Sequence, residues 1–313
     1  AFVLGVGEPT FVPLEAAPGS IGRLLKLWQL NLDAAEEALG SRELLAALGR
    51  NARGLLEALY GALIAPLAWH LAGRERLIVV PYGPTHWVPF HALYDGSRYL
   101  LEALEVSVCP SSSLLQLCAG RRRAALSALV VGYDDEGRLP FAVDEAHAIA
   151  ALLPGELYVG EAATRAALIE AAPRHGVLHL AAHGEARVDN PTFAHVKLVD
   201  GQLSTADVFN LELDGALVTL SACETGRTVV TGGDELVGLS RGFLFAGAST
   251  LVQSLWRVDD GSTARLMERF YRGLCAGQTK GAALRDAQRA SLAEDAHPYL
   301  WAPFLLVGDG GLL

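Results

Sequence analysis

Two phrases in this chain each deliver a reactive side chain from a short apolar run. Residues 177–184 read Val-Leu-His-Leu-Ala-Ala-His-Gly, and residues 217–226 read Leu-Val-Thr-Leu-Ser-Ala-Cys-Glu-Thr-Gly. Both runs have the length of a strand and end in small residues. The first presents His183 and the second Cys223. A thiol is a weak nucleophile at neutral pH, because its ordinary pKa is ~8.5. A neighbouring imidazole activates it by taking the proton or by stabilising the thiolate. Gly184 follows His183 and lets the backbone approach a substrate carbonyl with no Cβ in the way. The N–H groups of Gly184 and Cys223 are therefore the candidates for holding an oxyanion, where a single donor contributes ~3 kcal/mol. Singly, each residue has a plainer reading. Free cysteine is among the most buried residue types, and a lone histidine in a strand is commonly structural.

The pair gains meaning from the elements that must carry it. The segment between the two phrases has room for one crossover. Parallel strands joined that way place both carboxyl ends at one edge of the sheet, where open α/β sheets bind their ligands. The surrounding pattern supplies such a sheet. Strands are expected at 128–133, 157–159, 250–255 and 304–307, with helices at 144–153, 164–172, 235–246, 262–275 and 280–292. A hairpin is expected at 196–203 around Asp200-Gly201, followed by a Ser204/Asp207 capping box. Strands alternating with helices predict a mostly parallel sheet flanked by helices.

The first 120 residues have a different texture. Two short strands are expected within 2–14. A helical pair follows, the first helix capped by Ser20 and the second by Ser41, and strands come next at 76–81 and 103–109. The basic, small-residue stretch 120–125 marks a boundary, giving regions 1–120 and 121–313. The chain begins inside a strand-like run, Ala1–Val6, which points to a longer parent chain.

Composition excludes several classes. The formal charge is −10, from 25 basic and 35 acidic residues, which disfavours direct nucleic-acid binding through phosphates. No apolar run reaches the ~18 residues that span a bilayer, so no membrane partner is expected. Four cysteines with no C-x-x-C pair read as a reduced, cytoplasmic protein, neither a zinc ribbon nor a disulfide scaffold. His179 and His183 lack the Glu of H-E-x-x-H and sit in a strand-like run, so no metal is expected. Thr231-Gly232-Gly233-Asp234 lacks the P-loop lysine, and Asp234 suits a helix cap.

These residues resemble the CHAT domain, a caspase-like cysteine peptidase family related to separase. The resemblance rests on Leu178–Gly184, Leu220–Gly226, Gly233–Leu239, Phe245–Ala248, Ser254–Asp260 and Pro298–Phe304, with Val80–Gly83 and Val88–Leu93 in the first part. It implies a caspase-like fold preceded by a degenerate, pseudo-caspase-like region, and a His183–Cys223 dyad with neither metal nor organic cofactor. It implies a cysteine endopeptidase making limited cleavages in a partner protein, in a bacterial defence or signalling pathway, under the control of a sensor or partner. The substrate is then a protein or peptide. Separase-like relatives read a basic residue with acidic groups, which makes Asp260 the first candidate for the specificity pocket and Asp259 the second. Asp234 is a third substrate-facing candidate, and each of these acids is alternatively a helix cap. Arg257, beside them, would partly neutralise such a pocket. The rival expectation is a caspase-like module that binds a partner and cuts nothing.

Overall fold

The computed structural model describes residues 1–5, 7–121, 127–185, 194–223 and 238–313. The chain opens with a small antiparallel ribbon, β1 (Phe2–Val3) on β2 (Thr10–Phe11). The long helices α1 (Pro18–Glu37) and α2 (Arg42–Leu63) follow, then the short α3 (Ala68–Leu71). Helix α1 starts earlier than Ser20 predicts. Pro18 fits the first turn, where its missing N–H costs nothing, and the Ser20 hydroxyl instead donates to Ala17 O at 2.7 Å. Ser41 does cap α2, accepting from the Leu44 N–H at 3.4 Å. Next come β3 (Arg76–Val79), α4 (Leu100–Ala103), β4 (Glu105–Val108) and α5 (Ser112–Gly120).

The second part alternates as the sequence pattern requires. It runs β5 (Ala128–Gly132), α6 (Ala142–Ala150), β6 (Gly155–Val159), α7 (Arg165–Ala171), β7 (Val177–Glu185), β8 (His195–Leu198), β9 (Gly201–Ser204), α8 (Thr205–Phe209) and β10 (Leu217–Cys223). It continues with α9 (Leu239–Phe245), β11 (Thr250–Ser254), α10 (Asp260–Cys275), α11 (Lys280–Glu294), α12 (Pro298–Trp301) and β12 (Phe304–Gly308).

The main sheet has strand order β3-β4-β12-β11-β10-β7-β5-β6, with the β8–β9 hairpin attached to β7. Along that path every pair is parallel except β11–β12. Strands β3 and β4 thus extend the second half's sheet through β12. Central strands are buried on both faces, which is why they read as nearly unbroken apolar runs. On one face α6, α10 and α11 cover the sheet with Ile149, Leu266, Met267, Phe270 and Leu284. On the other, a larger core joins Leu168, Val208 and Phe243 to Trp28, Leu56 and Leu59 of the long helices. Helix α6 comes very close to β5. A Cβ on Gly132 would lie 2.6 Å from the Ala146 Cβ, so only glycine allows this approach. No single described helix is long and apolar enough to cross a membrane.

Candidate functional site

His183 and Cys223 come together through strand pairing. Leu217–Ser221 of β10 run in step with Val177–Ala181 of β7, and after a register shift Cys223 pairs with Gly184. Between the matched pairs, β7 has two residues where β10 has one. The extra residue makes a bulge at Ala182–His183, a device that re-aims a side chain at a strand end. Adjacent strands lie about 4.8 Å apart, so the Cys223 backbone stands beside Gly184 and one residue from His183. The sequence pattern ends the first strand before His183. The structure carries β7 on to Glu185, because β8 pairs with it at Gly184 and Glu185. The His183 ring is half-buried, and its Nδ1 is buried without a hydrogen-bond partner among the described residues.

Before the bulge β7 carries a polar seam. Alternation there puts His179 and Ala181 on one side. His179 is wholly buried, with Nε2 2.9 Å from Glu145 Oε1 of α6 in poor hydrogen-bond alignment. Its Nδ1 lies 3.2 Å from the Tyr271 hydroxyl, which donates to Thr219 Oγ1 at 2.8 Å. Burial pushes the Tyr271 phenol well above its usual pKa. His179 is thus tied into the core through Tyr271 and Thr219. Among the described residues no group of three or more His, Cys, Asp or Glu is placed to hold a metal ion.

The predicted acidic pocket divides by role. Asp259 caps α10, its carboxylate accepting from the Ser262 N–H at 2.8 Å. Asp260, the next residue, is half-buried and has no hydrogen bond or ion pair among the described residues. Burial, followed by the nearby Asp259 and Glu145 charges, pushes its carboxyl up to about 6. Arg257 does not figure among the charges acting on Asp260, and it pairs with Glu36 of α1 at 3.0 Å. The expected neutralisation of Asp260 by Arg257 is thus corrected. Helix α1 draws the guanidinium away, a contact between residues 221 positions apart that local reading does not reveal. The acid has an apolar surround nearby: Leu139, Ala142, Ala181 and Val258 form a small cluster, and Phe141 approaches the Cβ position of Gly261 at 3.9 Å. Asp234 lies outside the described residues.

One residue near His183 escaped the sequence reading. Asp135, in the turn after β5, has a fully buried side chain and ion pairs with Lys197 of β8 and with Arg138, the latter at 3.3 Å. Nothing local in Asp134-Asp135-Glu136-Gly137 sets it apart from an ordinary solvated turn. The signal is its position three residues past a strand that neighbours β7.

The CHAT domain family model matches residues 53–309. Tetratricopeptide repeat protein 28 of Homo sapiens is 28% identical over 81% of this chain, which spans only 13% of that relative's length. Among solved structures, the Arg-specific cysteine proteinase gingipain R superposes with a TM-score of 0.56 at 12% identity, over 94% of this chain and 75% of its own. Separase in the Saccharomyces cerevisiae separase–securin complex gives 0.53 at 12% identity, over 74% of this chain and 15% of its own. The sheet, its flanking helices and these neighbours make the fold caspase-like, and the matched span makes the chain a member of the CHAT domain family.

Proposed function

We propose that this chain is a cysteine endopeptidase that cuts after a basic residue. The observation that carries the reading is the pairing of Cys223 with Gly184, one residue from His183, at the carboxyl edge of a parallel sheet. His183 accepts the thiol proton and Cys223 attacks the peptide carbonyl. The N–H groups of Gly184 and Cys223 hold the oxyanion, and His183 returns the proton to the leaving amine. Water then hydrolyses the thioester. Asp260 supplies the preference for a basic side chain: it is a half-buried acid without a cation partner among the described residues, and a substrate Lys or Arg would provide one. A neighbour sharing the fold is an Arg-specific cysteine proteinase. Limited cleavage of one partner protein, controlled by a sensor, fits a domain that is a small part of its long relatives.

An iodoacetamide-type probe tests the dyad. Cys109 and Cys118 are buried, and burial pushes the Cys118 thiol up to about 11, so both react slowly. Cys275 is exposed and serves as the internal reference. Selective labelling of Cys223 that disappears in His183→Ala supports the enzyme. Labelling of Cys223 no faster than Cys275, unchanged in His183→Ala, favours a binding module instead. A peptide-library profile then reads specificity, with basic residues before the cut bond expected for the native chain and their preference lost in Asp260→Asn.

A further inference from the structure

A hydroxyl with its own base stands at the opposite edge of the sheet. Ser127 precedes β5, His175 lies two residues before the start of β7, and Glu156 is the second residue of β6. These three strands are parallel neighbours, so the residues share the amino edge. His183 follows His175 by eight residues, about 25 Å away at the rise of a strand. None of the three takes part in the reaction of Cys223.

The backbone fixes where the side chains meet. Ser127 O accepts from the Gly176 and Val177 N–H groups at 3.0 and 3.1 Å, and the His175 N–H donates to Ala172 O at 3.2 Å. Each side-chain link is then a hydrogen bond. Ser127 Oγ lies 2.7 Å from His175 Nδ1, and His175 Nε2 lies 3.1 Å from Glu156 Oε1. Glu156 also accepts from the Tyr158 hydroxyl and from Arg174 Nη2, the latter at 3.0 and 3.3 Å. These donors, Tyr158 first, hold its carboxyl down to about 2, so it is ionised and can only accept. The neutral His175 ring therefore carries its proton on Nε2, toward Glu156. Its Nδ1 is left as an acceptor, and the Ser127 hydroxyl donates to it.

Hydroxyl, base and a third group that orients the base are the parts of an activated nucleophile. The His175 ring is only 5% exposed, whereas Ser127 is half-buried and can be approached. Such partial cover favours a small acyl group.

We propose that Ser127 is an acyl-accepting site, taking a small acyl group from an ester or thioester. His175 Nδ1 accepts the hydroxyl proton as Ser127 Oγ bonds to the acyl carbon. The bond from that carbon to the leaving oxygen or sulfur breaks, and Nδ1–H gives the proton to the leaving alcohol or thiol. Glu156 is a positioning residue: it fixes the ring's tautomer through Nε2–H.

The test uses the full chain carrying Cys223→Ala, which removes the peptidase nucleophile. The acyl donor is p-nitrophenyl acetate; nitrophenolate release and intact mass follow the reaction, and peptide mapping locates the acetyl group. One acetyl group on Ser127 is expected. In His175→Asn it should form about a hundredfold more slowly, the low end of what a positioned general base contributes. Asparagine keeps an acceptor near the place of Nδ1 but cannot hold the proton, so a hydrogen bond serving structure alone would leave the rate unchanged. Glu156→Gln should slow the reaction as well, and Glu156→Asp recover part of the loss. An unlabelled Ser127, or acetyl groups spread over surface lysines with no enrichment at Ser127, overturns the proposal without any variant at the site. Acetylation of Ser127 that is as fast in His175→Asn overturns it too. None of these outcomes bears on the labelling of Cys223, which decides the peptidase reading separately.

Discussion

Asp260, the proposed specificity acid, sets function against stability at the level of one residue. Its carboxyl is raised to about 6, so the folded chain holds that proton more tightly than the unfolded one. The stabilising contribution is complete below about pH 4 and disappears as pH rises through 6. At pH 7 the ionised acid is therefore a net burden on the fold, which a bound cation would ease. Asp260→Asn is expected to melt higher than the native chain at pH 7 and to lose that advantage at pH 4, which thermal scans at the two pH values check. Cleavage after basic residues should rise as pH passes 6, and a flat rate between pH 5 and 7 would contradict the assignment. Asp259 behaves differently because its carboxylate already has a backbone partner. Of two adjacent acids, one caps the helix and the other is left for the proposed pocket.

At the level of elements, the seam between β7, β10 and α10 ties the site to the core. Tyr271→Phe removes the hydroxyl between His179 and Thr219 and leaves buried polar atoms unpaired, which costs about 1–3 kcal/mol each. Denaturant melts should show a loss of that size. Gly132→Ala should cost about 1–3 kcal/mol as well, because α6 must shift to admit the new methyl. That shift moves Glu145 and Phe141, so sensitivity of substrate cleavage to Gly132→Ala is expected even though the residue lies outside the site. A melt unchanged by this variant would show that α6 has slack. Most of these elements were legible in the sequence. The apolar runs of β7 and β10 and the caps at Ser41 and Ser204 depend on local pattern, and each occurs as expected. What pattern could not provide was non-local. The bulge at Ala182–His183 depends on register against β10. Asp135 matters through its neighbour strand, and Arg257 answers to α1. Helix α5 was missed for another reason: Pro110 and the serines after it resemble a loop, whereas Ser111 caps the helix by accepting from the Leu114 N–H at 3.1 Å.

On the scale of the whole molecule, two buried histidines fasten the first part to the last. His297 Nδ1 accepts the Tyr299 N–H and its Nε2–H donates to Asn31 of α1, both at 2.9 Å. That arrangement requires the neutral ring, and burial lowers its pKa to about 4. His91 Nε2–H donates to Ala302 O at 2.9 Å, and burial lowers its pKa to about 4 too. Their contribution is complete above about pH 6.5 and is lost as pH falls toward 4. Asp260 runs the opposite way over part of this range, but it is one group against two. Stability is expected to fall on acidification from pH 6.5 to 4, with α1 and α2 loosening first, and His297→Gln should make the fall shallower. Tryptophan fluorescence reports it through Trp28, which packs edge-on against Trp256 at 5.5 Å.

The strand order carries a further consequence. Strand β12, the last in the chain, lies between β4 from the first part and β11 from the second. A single cut between α5 and β5 would separate two polypeptides that still share one ladder of backbone hydrogen bonds and one apolar core. Such a product would migrate as two bands under denaturing conditions and elute as one particle under native ones. A proteolytic nick there would leave the assembly standing, and the two pieces would behave as a heterodimer.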